Sequence, residues 1–63
     1  RFLFNKSLVA KKNIIKGEFI TKELIDAKKP CIGIPAYDYE KVIGKKSNRD
    51  ISINETILWV DLE

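Results

Sequence analysis

A single domain of 63 residues buries only about 60% of the surface its unfolded chain exposes, which leaves room for a small core but not for a deep catalytic pocket. The chain has no His and one Cys, Cys31, so an intrachain disulfide, a Cys/His zinc site and any Ser-His or Cys-His nucleophile pair are excluded. The net charge of +3 says less than its layout: every charged residue before Glu18 is basic and every one after Arg49 is acidic, which predicts that the two ends lie side by side and pair.

From the start, Arg1 stands in front of an apolar run, Phe2-Leu3-Phe4, which reads as surface that packs on a linker or on a further domain of a longer protein. Ser7 to Ala10 is β-prone. Residues 13 to 25, from Asn13 to Ile25, then return in outline at residues 50 to 62. Ile14 aligns with Ile51, Glu18 with Glu55 and Ile20 with Ile57, while Gly17 aligns with Asn54. Gly and Asn are the residues that most readily accept φ > 0, so each copy reads as strand, tight turn, strand. Two interlocking hairpin-like units about a pseudo-two-fold axis follow from the repeat, against the competing reading of coincidence in a short aliphatic pattern.

After the first turn, Thr21 is placed to cap a single helical turn through Lys22, Glu23, Leu24 and Ile25 that seals the core. Residues 28 to 35, Lys-Lys-Pro-Cys-Ile-Gly-Ile-Pro, read as a rigid shaped loop, because Pro30 and Pro35 fix φ and push Lys29 and Ile34 toward extended geometry. Pro35 suits the first position of a helix over Ala36 to Ile43, with Tyr39, Val42 and Ile43 inward and Gly44 closing it in the left-handed conformation. The second copy follows, with Trp59-Val60-Asp61-Leu62 mirroring the short turn of the first. Tyr39 and Trp59 are assigned to the core, Tyr37 to the surface, and Cys31 to a small, half-buried filler role. The whole chain, residues 1 to 63, is thus read as one domain.

The pairs Lys11-Lys12, Lys28-Lys29 and Lys45-Lys46 could meet phosphates, but the acidic residues are too many and no aromatic is interleaved to stack on bases. A solvated Lys-rich surface is the reading taken, with no nucleic-acid partner. No apolar run approaches the roughly 18 residues of a membrane span, and no signal peptide is evident. One free Cys without a disulfide framework fits a cytoplasmic setting.

The run Lys29-Pro30-Cys31-Ile32-Gly33-Ile34-Pro35, the helix ending in Val42-Ile43-Gly44-Lys45-Lys46, and Asp50-Ile51 together resemble the C-terminal antifreeze-like domain of sialic acid synthases. Lys6-Ser7-Leu8, Ile14-Ile15-Lys16-Gly17-Glu18 and the closing segment Trp59 to Leu62 extend the likeness over nearly the whole chain. The resemblance implies a mainly β fold, the β-clip or SAF fold, with short strands, short helical turns and an internal pseudo-two-fold. It also implies a parent enzyme, a carbon-carbon bond forming transferase of the N-acetylneuraminate synthase family. In that family a (β/α)8 barrel, helped by a divalent metal such as Mn or Mg, condenses phosphoenolpyruvate with an N-acetylated amino sugar resembling N-acetylmannosamine. The small domain reaches across a domain-swapped homodimer and caps the partner's barrel mouth. On this resemblance the domain has no catalytic residue, cofactor or metal of its own.

The one donor the resemblance places in this domain is the Arg of an Arg-Pro-Gly-x-Gly motif, where this chain has Lys29. Cys31 replaces the first Gly of that motif, while Gly33 is retained. Lys29 is therefore the substrate-binding candidate, set against an ordinary exposed lysine beside Lys28; a Lys gives a point charge where Arg gives a planar fork. Two further likenesses compete. The type III antifreeze proteins of fish share Gly33-Ile34-Pro35 and Asn48-Arg49, but the positions equivalent to their ice-binding face hold Gly17, Glu18, Phe19, Thr21, Glu23 and Lys46, half of them charged. SAF domains of assembly chaperones or sugar-acid dehydratases generally lack the Gly-Ile-Pro segment followed by a helix.

Overall fold

The computed structural model describes residues 5–63. Strand β1, Ser7–Ala10, is buried at all four positions and forms the axis of the fold. It pairs antiparallel with β2, Ile25–Lys28, in the register Ser7 to Lys28 and Ala10 to Ile25. On its other edge it exchanges bonds with the second half of the chain: the Ala10 N–H donates to the Glu55 carbonyl at 2.9 Å and the Ile57 N–H to the Leu8 carbonyl at 3.0 Å. The rest of the β structure consists of single bridges, as at Ile14 with Ile51 and Phe19 with Lys46.

The internal repeat is present, and its symmetry extends to individual hydrogen bonds. Ile14 and Ile51 donate to one another's carbonyls, both at 2.8 Å. The Gly17 N–H donates to the Ser47 carbonyl as the Asn54 N–H does to that of Ala10, and Asp50 accepts from the Lys16 N–H as Asn13 accepts from that of Ile53. Each turn is closed by its glutamate, Glu18 accepting from the Ile15 N–H and Glu55 from that of Ser52. Gly17 at φ +93° and Asn54 at φ +71° occupy the third turn position, the signature of a type II turn.

One expectation is corrected by these turns. The two arms of each copy do not form a hairpin with one another: the first arms pair with each other, Ile14 with Ile51, and each second arm pairs with the segment that precedes the other copy, Phe19 with Lys46 and Thr56 with Val9. A type II turn splays its flanking strands where the primed hairpin turns would match their twist, so the arms separate and cross. The two ends do lie side by side, as the charge layout predicts, but Asp50 meets the backbone of Lys16 and not its ammonium, and the acids Glu55 and Asp61 are paired by Arg49 of their own half.

The core gathers Leu8, Ala10, Ile14, Ile20, Ile25, Ile34, Ala36, Val42, Ile51 and Ile57, with Leu24, Tyr39 and Leu62 packed at its margin. The predicted helix is real but mixed: a 3-10 turn, Ala36–Asp38, runs into a single α turn, α1, Tyr39–Val42. Pro35 sits one place before the helix, at the cap, and Ile43 falls outside it at the surface. Gly44 takes φ +92° and returns its N–H to the Ile20 carbonyl. The short turn within the first copy is a 3-10 turn, Lys22–Leu24, and the Thr21 side chain makes no capping bond to it. Its counterpart is the turn Trp59–Asp61, where the core assignment of Trp59 fails: the indole is 44% exposed, because Asp61 takes the inward place and Trp59 stands where the first copy has Lys22. Cys31 is exposed, not half-buried. Phe2 and Phe4 lie outside the described residues. Among those residues no helix is long and apolar enough to cross a membrane.

Candidate functional site

Lys29 follows directly on β2 and opens the segment that leads to Pro35. That segment is irregular, as its prolines require, and fastened at both ends. The Ser7 hydroxyl donates to the Pro30 carbonyl at 2.9 Å, behind a cis peptide bond between Lys29 and Pro30. The Leu8 N–H donates to the Ile34 carbonyl at 3.0 Å, and the Ala36 N–H to that of Lys6 at 3.0 Å. Between these anchors Gly33 lies against the second copy so closely that a Cβ would stand 2.7 Å from Thr56 Cγ2 and 2.9 Å from the Ile57 carbonyl oxygen.

The loop thus presents Lys29, Cys31 and Ile32 on its outer side, all exposed, with the partly exposed Leu58 next to Gly33. Lys29 forms no hydrogen bond or ion pair with the described residues. Its neighbour Lys28 is tied down: the ammonium donates to Asn54 Oδ1 at 3.1 Å, linking the end of β2 to the second turn. Sequence reasoning did not find this link, and its only local signal is an Asn where the first copy has Gly17. The arrangement offers ammonium donors beside an apolar surface, which suits hydroxyl, carbonyl or anionic oxygens on a ligand. A shallow groove of about 290 Å³ lies elsewhere, lined by Leu8, Lys22, Ile25, Asp26, Ala27, Ala36 and Tyr39; Lys29 is not part of its wall.

The other polar cluster is structural. Arg49 Nε meets Asp61 Oδ1 at 2.7 Å and its Nη2 meets Asp61 Oδ2 at 3.2 Å and Glu55 Oε2 at 2.8 Å, while Nη1 donates to the Asp50 carbonyl. Burial pushes the Asp61 carboxyl up, but hydrogen bonds from Arg49 and the Leu58 N–H together with the Arg49 charge outweigh it and hold the group below its ordinary value. Glu55 is lowered first by its hydrogen bond from Arg49 and then by the Ser52 N–H. Both carboxylates are occupied, and among the described residues no group of three or more His, Cys, Asp or Glu side chains converges on a place for a metal.

Comparison with known proteins agrees with this architecture. The model of the SAF domain matches residues 5–63. The chain is 31% identical over 61 residues to a pseudaminic acid synthase of Campylobacter jejuni, covering 97% of the chain and 18% of that enzyme. It is 40% identical over 55 residues to an N,N'-diacetyllegionaminic acid synthase of the same species, covering 87% of the chain and 16% of the enzyme. The chain therefore spans less than a fifth of the curated relatives it matches. Among solved structures it superposes with a TM-score of 0.89 and 27% identity on the antifreeze protein-like domain in the human N-acetylneuraminic acid phosphate synthase gene, covering 94% of this chain and 76% of that one. The mainly β architecture, the crossed repeat and these likenesses point the same way: the chain belongs to the SAF domain family and is similar to the antifreeze-like part of sialic-acid-type synthases.

Proposed function

We propose that this domain caps the amino-sugar site of a sialic-type acid synthase and performs no chemistry itself. The condensation of phosphoenolpyruvate with an N-acetylated amino sugar, and any divalent metal it needs, belong to a separate barrel of the same protein, and a homodimer brings the cap of one subunit over the barrel of the other. Identity to the Campylobacter synthases over most of the chain supports the reading. The observation that carries it is the setting of Lys29, an exposed cation on a loop anchored on both sides and not engaged by any described residue. A donor held in this way contributes to ground-state positioning of a bound sugar, and the domain around it excludes water as a lid does.

The test is kinetic. In the full-length protein, Lys29→Ala should raise KM for the amino sugar about tenfold, the effect of one lost charged hydrogen bond, with KM for phosphoenolpyruvate nearly unchanged. Lys29→Arg should retain most of the affinity, since Arg keeps the charge and adds donors. Equal changes for both substrates would remove Lys29 from the sugar site.

A further inference from the structure

The two 3-10 turns are internal controls for one another. They share backbone geometry: the cap residues Thr21 and Leu58 lie at φ −123°, ψ 167° and φ −114°, ψ 156°, and the closing bonds from the Leu24 N–H to Thr21 and from the Asp61 N–H to Leu58 are 3.0 and 2.9 Å. Their outward residues differ completely. The first turn shows Thr21, Lys22 and Glu23 to solvent; the second shows Leu58, Trp59 and Val60, which are 41%, 44% and 76% exposed. Since the polar version forms the same turn, folding alone does not require the apolar one.

The apolar turn is also the more tightly held. Asn48 Nδ2 donates to the Val60 carbonyl at 2.7 Å, and the Leu58 N–H donates to Asp61 Oδ2 at 2.9 Å, while Asp61 is fixed by Arg49. The first turn has Lys11, Lys12 and Leu24 at the places of Asn48, Arg49 and Asp61. Leu58 continues the surface toward Gly33 and the exposed Ile32. A firmly held, exposed apolar ridge loses little entropy on association, and the Trp at its centre is of a residue type enriched among interface anchors.

We propose that the Leu58–Trp59–Val60 ridge is the surface by which this domain docks on the larger, non-SAF part of its parent protein. The occupant follows from length: the chain covers 18% and 16% of its Campylobacter relatives, so most of a protein of that kind lies outside it, and an uncharged ridge calls for an apolar protein surface. The inference rests on the capping reading and adds to it the contact that holds the cap in place.

The experiment uses the longest native polypeptide that carries this chain, with the photo-crosslinking residue p-benzoylphenylalanine at position 59 in one sample, at position 60 in a second and at position 22 in a third. Crosslinks from 59 and 60 to peptides outside the 63 residues, with none from 22, are expected. Crosslinks from 59 and 60 into a second SAF domain would overturn the proposal in favour of self-association, and their absence at both positions would overturn it outright. A native polypeptide of only 7.3 kDa would sink the capping reading itself, whereas a long polypeptide without these crosslinks sinks only the ridge. Position 60 keeps the test decisive if the change at Trp59 disturbs folding, and exchanging the ridge for Thr-Lys-Glu, the sequence of the first turn, should abolish crosslinking from a probe at Ile32.

Discussion

Arg49 clasps Asp61 through two hydrogen bonds, 2.7 Å from Nε and 3.2 Å from Nη2, at a place where the first copy of the repeat has Lys12 and Leu24. The backbone keeps its pseudo-symmetry here, while the side chains depart from it with a charged pair in one half only. The Asp61 side chain is 5% exposed and also caps the Leu58 N–H, so its charge is both desolvated and satisfied. Asp61→Asn keeps the shape and removes the charge; the expected loss of stability is about 2 kcal/mol at pH 7, measured by urea unfolding.

The same pair gives the stability a direction in pH. Asp61 and Glu55 are lowered in the folded protein from ordinary values of 3.8 and 4.5. Groups with lowered folded values contribute stability that is complete above their ordinary values and is lost as pH falls through the folded ones. The melting temperature is therefore expected to hold from pH 7 down to about pH 5 and to drop below it, with the difference between wild type and Asp61→Asn shrinking as the acid limb is descended. Melting curves by circular dichroism at a series of pH values check this, and a constant difference down to pH 2 would contradict it.

Gly33→Ala is expected to cost about 2 kcal/mol, because the new Cβ would stand 2.9 Å from the Ile57 carbonyl oxygen, a backbone atom that cannot step aside. Gly17→Ala makes an informative contrast. A Cβ there meets nothing within 4 Å, so only the left-handed φ of +93° opposes it, at about 1 kcal/mol, and Gly17→Asn should cost less because Asn54 already holds the equivalent turn. Calorimetric melting of the three variants would rank them.

The repeat was legible in the sequence because its determinants are local: a residue tolerant of positive φ, a glutamate that closes the turn, and Asn13 and Asp50 at matching places. Which arm pairs with which was not, because hairpin and crossed pairing satisfy the same alternation of residues and differ only in turn twist. The hydrophobicity of Trp59 points to the core, yet Asp61 occupies the inward place, buried where Arg49, twelve positions away in the chain, meets it. Nothing in the local pattern of Lys29 distinguishes it from Lys28, and only the likeness to the family singles it out; the structure separates the two by tying Lys28 to Asn54.

The positions equivalent to an ice-binding face give the last prediction. Gly17, Glu18, Phe19, Thr21, Glu23 and Lys46 are all exposed, and the backbone bridge between Phe19 and Lys46 brings two of them together, with the Lys46 ammonium 5.7 Å from the centre of the Phe19 ring. Adsorption to ice needs a flat, weakly hydrated surface. Here the aromatic ring is shared with a cation, and Glu18 and Glu23 bring two further charges whose hydration shells would have to be stripped. Thermal hysteresis of the purified domain is expected to equal that of a non-binding protein at the same concentration. Removing the charges tests the reason: Glu18→Gln, Glu23→Gln and Lys46→Gln together should leave the fold intact and raise the hysteresis above that of the unmodified domain, and hysteresis in the unmodified domain itself would contradict the hydration argument.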